Sequence, residues 1–132
     1  MSHRLQRDLP KQRRDRQAVA ALALDVVEFF DRDLVPHFAA EEEALFPVME
    51  QHVGKLAIID ELLQEHRRMS SLVDQLHQAE PGTQAGILQT FGELLRDHIR
   101  KEERLLFPIF EEKMPGTVAR AVGDQIQQKL KP

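Results

Sequence analysis

Apolar residues recur at three-four spacing through almost the whole chain, and alternating apolar–polar runs are absent. That periodicity dictates amphipathic helices with one stripe facing a core. The stripe in the first half runs Val27, Phe30, Leu34, His37, Glu41, Ala44, Val48. A second runs Ile59, Leu62, His66, Met69, Val73, Leu76, and a third runs Leu88, Phe91, Leu95, His98, Glu102, Leu105, Ile109. Each stripe carries a polar interruption at its middle, where an apolar residue belongs.

The helices are punctuated at His52-Val53-Gly54, at Glu80-Pro81-Gly82-Thr83 and at Met114-Pro115-Gly116-Thr117. The spacing predicts a helix to about residue 52, one near 55–79, one near 84–113 and a short one near 117–130. Pro10 is expected to set off a short first helix, and Thr83 and Thr117 are candidate N-caps. Helices of this length joined by short turns pack antiparallel. The expected fold is therefore all-α, an up-down-up-down four-helix bundle with a short C-terminal helix. At 132 residues the chain is read as a single domain, 1–132.

The interruptions are not scattered. His37-Phe-Ala-Ala-Glu-Glu-Glu-Ala-Leu-Phe-Pro47 matches His98-Ile-Arg-Lys-Glu-Glu-Arg-Leu-Leu-Phe-Pro108 at six of eleven positions. The shared pattern is H-x-x-x-E-E-x-x-L-F-P. His3 precedes His66 by nearly the interval that separates these two copies, and each of the pair is followed by Arg. Two copies of a helical hairpin around a pseudo-two-fold axis would put His37 and Glu41 opposite His98 and Glu102, and His66 opposite His3. Periodicity argues the other way for His3, because Leu5 and Leu9 lie on a different face.

A His and a Glu four apart lie on one helix face with β-carbons about 5–6 Å apart, so both reach one centre. An ionised carboxylate buried without a partner costs several kcal/mol even after relaxation. Two of them facing each other repel, or one keeps its proton. A pair of divalent cations about 3.5–4 Å apart relieves both problems, because each carboxylate can bridge the two ions. Mixed nitrogen and oxygen donors suit iron, manganese or zinc better than calcium or magnesium. The rival reading is a buried His–Glu hydrogen-bond network that fixes helix register without metal. His52, at a helix end beside Gly54, and His77, about 16 Å along the axis from His66, read as surface residues. Phe38 and Met69 read as packing beside the site.

Other chemistries drop out. With no cysteine there is no disulfide, thiolate metal site or thiol catalysis. There is no H-E-x-x-H, no E-x-x-H, no Gly-rich phosphate loop and no nucleophile elbow. No apolar run approaches the length of a membrane span, and no signal peptide is legible, so the expected location is cytoplasmic with no membrane partner. The net charge of −4 gives no general pull toward nucleic acid, and none is expected as a partner. Residues 1–17 nevertheless carry six basic and two acidic side chains.

H-F-A-A-E-E-E-A-L-F-P, then E-H-R-R, then H-I-R-K-E-E-R-L-L-F-P, resembles the hemerythrin-like domain family, also called the HHE cation-binding domains, over at least residues 20 to 112. The resemblance implies a four-helix bundle around two irons joined by an oxo or hydroxo bridge. It implies His37, Glu41, His66, His98 and Glu102 as metal ligands, with Glu41 and Glu102 as the bridging carboxylates. The family's first-helix ligand is then either His3 or missing, and without it one metal would bind weakly or the site would hold a single ion. Oxygen-carrying members resemble H-x-x-x-H on the third helix, whereas Ser70 follows His66 by four. A centre with fewer imidazoles leaves positions for water, dioxygen, peroxide or nitric oxide. The implied function is to bind or sense such an oxidant. Iron storage or iron sensing, or a small enzyme that consumes an oxidant, are the alternatives.

Overall fold

The structure is a computed structural model. It describes the backbone of residues 2–114, 116–117, 120–122 and 124, and within that set the side chains from residue 13 onward. Among the described residues the chain forms four helices and no strand, the expected all-α bundle.

Helix α1 covers residues 2–53. It is α-helical over Ser2–Phe29, Val35–Ala40 and Phe46–Val53, with π-helical turns at Phe30–Leu34 and Glu41–Leu45. The expected break at Pro10 does not occur, since the helix passes through it unbroken. Gly54 ends α1 at φ 84°, a left-handed conformation that favours glycine, and its N–H bonds the Glu50 carbonyl at 3.0 Å. The Leu56 N–H then donates to Glu50 Oε2 at 3.1 Å, which ties the short connection down.

Helix α2 is Ala57–Gln78. Its apolar stripe is the one expected: Ile59, Leu62, His66, Met69, Val73 and Leu76 are all buried. Helix α3 covers residues 81–113, as Pro81–Lys101, a π turn at Glu102–Leu106 and Phe107–Lys113. It starts earlier than expected. Pro81 holds the first helical position, where its missing N–H costs nothing, and Glu80 rather than Thr83 occupies the N-cap. Gln84 Nε2 donates to the Leu76 carbonyl at 3.0 Å and closes this corner. Gly116, Thr117, Arg120–Val122 and Asp124 are helical and belong to a short α4. Thr117 therefore lies inside a helical segment, and the expected helix beyond residue 124 lies outside the described residues.

The repeat is visible as a spatial register. Phe30 and Phe91, which precede His37 and His98 by the same interval, meet edge to face with centroids 6.3 Å apart. α1 and α3 therefore run side by side in one direction, and α2 packs antiparallel to both. Two apolar clusters form. One holds Phe30, Phe38, Met69, Val73, Phe91 and Leu94. The other holds Leu45, Phe46, Met49, Ile59, Leu62, Leu106, Met114 and Val122. The polar residues of the three stripes lie between these clusters.

The stripes depart from the sequence reading after each glutamate. Val48 was expected in the core, yet Met49 is the fully buried residue and Val48 only packs at its side. Leu105 was expected there too, yet it is 51% exposed while Leu106 is 0% exposed. At Met49 the cause is the π turn, which inserts one extra residue into the helical repeat between Glu41 and the cluster beyond it. Leu106 stands four residues after Glu102, on the same helix face, and takes the place that three-four spacing also offered to Leu105. Leu95, expected in the core, is only partly buried, and its neighbour Leu94 takes the place.

Candidate metal centre

Five of the six expected ligand residues converge between the apolar clusters. Glu41, His66, His98 and Glu102 are 3%, 4%, 1% and 5% exposed. His37 lies at the rim, with its side chain 46% exposed. The side chain of His3, the sixth, lies outside the described residues.

The donor atoms form two groups. Ligand atoms of Glu41, His66 and His98 lie within 4.8 Å of one another, and so do those of His37, Glu41 and Glu102. Glu41 belongs to both. His66 Nε2 is 3.2 Å from Glu41 Oε1, and His98 Nε2 is 2.7 Å from Glu102 Oε1. Two atoms each about 2.0–2.2 Å from one ion, at right angles, lie roughly 3 Å apart, so the His66–Glu41 spacing is one that two ligands of the same ion adopt.

The hydrogen-bond inventory fits the same use. Glu41 Oε1, His66 Nε2 and His98 Nε2 are buried without a hydrogen bond of acceptable geometry. Unsatisfied buried polar atoms are rare and call for an occupant. Here three of them aim at one another, which is the arrangement a cation completes.

The other ring nitrogens are committed. His66 Nδ1 pairs with Glu42 Oε2 at 3.0 Å, and His98 Nδ1 pairs with Glu65 Oε1 at 2.9 Å. Lys101 Nζ donates to the second oxygen of Glu65. A carboxylate that accepts from Nδ1–H fixes the tautomer and leaves Nε2 free to ligate. Each carboxylate comes from the helix next door: Glu42 of α1 holds His66 of α2, and Glu65 of α2 holds His98 of α3. Phe38 stacks on the His66 ring with centroids 3.8 Å apart at 12°, which restricts its rotation further.

Glu65 was not singled out in the sequence. It sits one residue before His66, off that helix's main stripe, and reaches α3 because α2 packs against both neighbours. The available signal was an acidic residue adjacent to a core histidine. His52 and His77 are exposed, and Phe38 and Met69 are buried beside the site, as the sequence implied.

Electrostatics without metal show how costly the cluster is. Burial, aided by the hydrogen bond and charge of Glu102 and the charge of Glu42, pushes the Glu41 carboxyl up to about 10. Burial alone would raise Glu102 too, but His98, the Glu41 proton and His37 bring it below the usual range. Burial would lower His98, but Glu102 and Glu65 outweigh it and raise the imidazole. His66 is lowered, by burial first and by the charge of His98. A proton thus stands on Glu41, where a cation fits.

The comparisons with known proteins agree with this geometry. The family described as Hemerythrin HHE cation binding domain matches residues 1–110. The chain is also similar to a protein named DNA nickase from Nostoc sp. (strain PCC 7120 / SAG 25.82 / UTEX 2576), 28% identical over 108 residues. That match covers 75% of this chain and 30% of the nickase, so the chain spans less than a third of that relative. No solved structure matches the chain. No described helix is long and apolar enough to cross a membrane. With four predicted ligand residues buried together in the bundle core, a fifth at its rim, and the family model matched over residues 1–110, the chain belongs to the hemerythrin HHE cation-binding domain family.

Proposed function

We propose that the chain holds two iron ions between α1, α2 and α3, and that this centre binds or senses dioxygen, peroxide or nitric oxide. The observation that carries the two-ion reading is the membership of Glu41 in both donor groups. One ion would take Glu41, His66 and His98; the other would take His37, Glu41 and Glu102. Manganese or zinc would satisfy the same donors. Iron is favoured here because the family resemblance implies it. Bound iron would supply the capacity to exchange electrons with a small oxidant.

The chain's own residues do the rest. Glu42 and Glu65 keep both imidazoles turned inward, and Phe38 screens His66 from water. A cavity of about 280 Å³ reaches His37, His98 and Glu102 between Phe29, Leu34 and Ile99. Another, of about 350 Å³, reaches Glu42 and His66 beside Phe30 and Val35. Either is large enough for a diatomic ligand or peroxide. From the nickase relative we carry over only the shared segment, read as a metal module within a longer protein.

The test is to prepare the ferrous protein anaerobically and add dioxygen, hydrogen peroxide and nitric oxide in turn. New ligand-to-metal absorption with a defined stoichiometry is expected for at least one. An iron-loaded protein whose spectrum ignores all three would overturn the oxidant reading while leaving iron binding intact.

A further inference from the structure

The repeated motif ends in Leu-Phe-Pro, and no ligand role accounts for that ending. The described part of the chain has three π-helical turns, Phe30–Leu34, Glu41–Leu45 and Glu102–Leu106. Each is followed by one residue and then a proline: Pro36, Pro47 and Pro108. In each, the residue before the proline makes the widened bond, Val35 N–H to the Phe30 carbonyl, Phe46 N–H to Glu41 and Phe107 N–H to Glu102. The physical cause is proline itself. Its ring crowds the carbonyl four residues back and offers no N–H to it. Widening the turn moves that carbonyl aside without breaking the helix.

Two of the three turns begin at the carboxylates of the metal site. In a regular α-helix at about 100° per residue, Glu41 and Met49 point roughly 80° apart, while residues seven apart differ by only about 20°. A helix without the extra residue has to choose which of the two faces the interior. With the π turn both do: Glu41 is 3% exposed and Met49 is 0% exposed. In the second copy the residue eight beyond Glu102 is Phe110, which packs partly buried against the same apolar cluster while Glu102 is 5% exposed.

We propose that Pro47 and Pro108 are positioning residues for the metal centre: each holds open the π turn that lets a glutamate ligand and the apolar cluster beyond it face inward together. This rests on the reading of the site as a metal centre. Pro36 is the internal comparison, because its turn begins at Phe30 rather than at a carboxylate, and the ligand just beyond it, His37, is the half-exposed one at the rim.

The experiment measures Co(II) binding, by visible absorption and calorimetry, for the full chain and its Pro36→Ala, Pro47→Ala and Pro108→Ala variants. Pro47→Ala and Pro108→Ala should each weaken binding about tenfold or more, the size seen when groups that orient metal ligands are removed. Pro36→Ala should weaken binding less than either. A fourth variant removes Glu43 and carries Pro47→Ala. It shortens the Glu41-to-Met49 separation to seven residues, which a regular α-helix accommodates, and should recover wild-type affinity and bands. A merely structural proline would not be rescued in this way. Unchanged affinity in Pro47→Ala and Pro108→Ala, an equal loss in Pro36→Ala, or failure of the deletion to rescue would each overturn the proposal. A wild-type chain that takes up no Co(II) would instead overturn the metal reading, and this proposal with it.

Discussion

Glu41 and Glu102, the matching glutamates of the two repeat copies, stand face to face in the bundle core, with ligand atoms within 4.8 Å of each other. Two buried acids in that relation cannot both ionise without a cation between them.

The first prediction concerns pH in the metal-free protein. The Glu41 carboxyl, pushed up to about 10, keeps its proton in the folded state, whereas the unfolded chain loses it near the ordinary value of 4.5. The folded state therefore binds the extra proton between those limits. Glu41 favours folding most below pH 4.5, and that contribution declines as pH rises toward 10. Other site groups also titrate, so the readout is a difference. Denaturant unfolding of metal-free wild type and Glu41→Gln across this range should show wild type losing ground steadily as pH rises. A pH-independent difference would contradict the assignment.

Metal uptake should expel that same proton. Ligands must be deprotonated to bind, so neutral-pH titration with a divalent ion should release about one proton from Glu41. Calorimetry in two buffers of different ionisation enthalpy reads the number directly. The release should vanish in Glu41→Gln.

His98→Ala and Leu106→Ala should separate the site from the core. His98→Ala removes a ligand and strands Glu102, and should lose most bound metal. Leu106 is 0% exposed, and its truncation should cost about 2–5 kcal/mol of stability while metal remains bound to the folded fraction. Metal content after desalting, set beside unfolding curves, reports both. If His98→Ala keeps its full metal complement, the ligand assignment is wrong.

Much of this site was legible before any coordinates. His37, Glu41, His66, His98 and Glu102 could be found because helical periodicity places them on core-facing stripes and an internal repeat duplicates the arrangement. Periodicity failed at Val48 because it assumes one helical pitch throughout, and at Leu105 because three-four spacing offers two positions after Glu102, of which Leu106 is the one taken. The prolines at 47 and 108 were on the page, but their effect on pitch is a local backbone event that a stripe count does not see. Pro10 misled in the opposite sense, since a proline does not always end a helix. Glu65 stayed hidden because its partner, His98, is 33 residues away on another helix.

Glu65 supplies a further prediction. Glu65→Ala should weaken metal binding by about 10–100-fold, because His98 Nδ1 loses the acceptor that orients the ring. Glu65→Gln keeps an oxygen in the same place and should recover much of that loss. Equal loss in both variants would point to the negative charge of Glu65 rather than its hydrogen bond.

Metal should also stabilise the fold. An ion bound only by the native state adds about 2.7 kcal/mol at a free concentration one hundred times its Kd. Chelation should therefore lower Tm markedly. A Tm indifferent to chelator would mean that the His–Glu cluster supports the bundle through its own hydrogen bonds.

The most direct measurement is the metal content of protein purified without added metal, by elemental analysis together with a near-ultraviolet spectrum. The chain has no Trp and no Tyr, so bands to longer wavelength than the weak phenylalanine absorption must come from a bound group. The account predicts about two irons per chain with ligand-to-metal absorption, the pair that acts as a clamp between shared carboxylates. A colourless, fully folded protein holding no metal, and taking none up when ferrous iron is supplied, would contradict it.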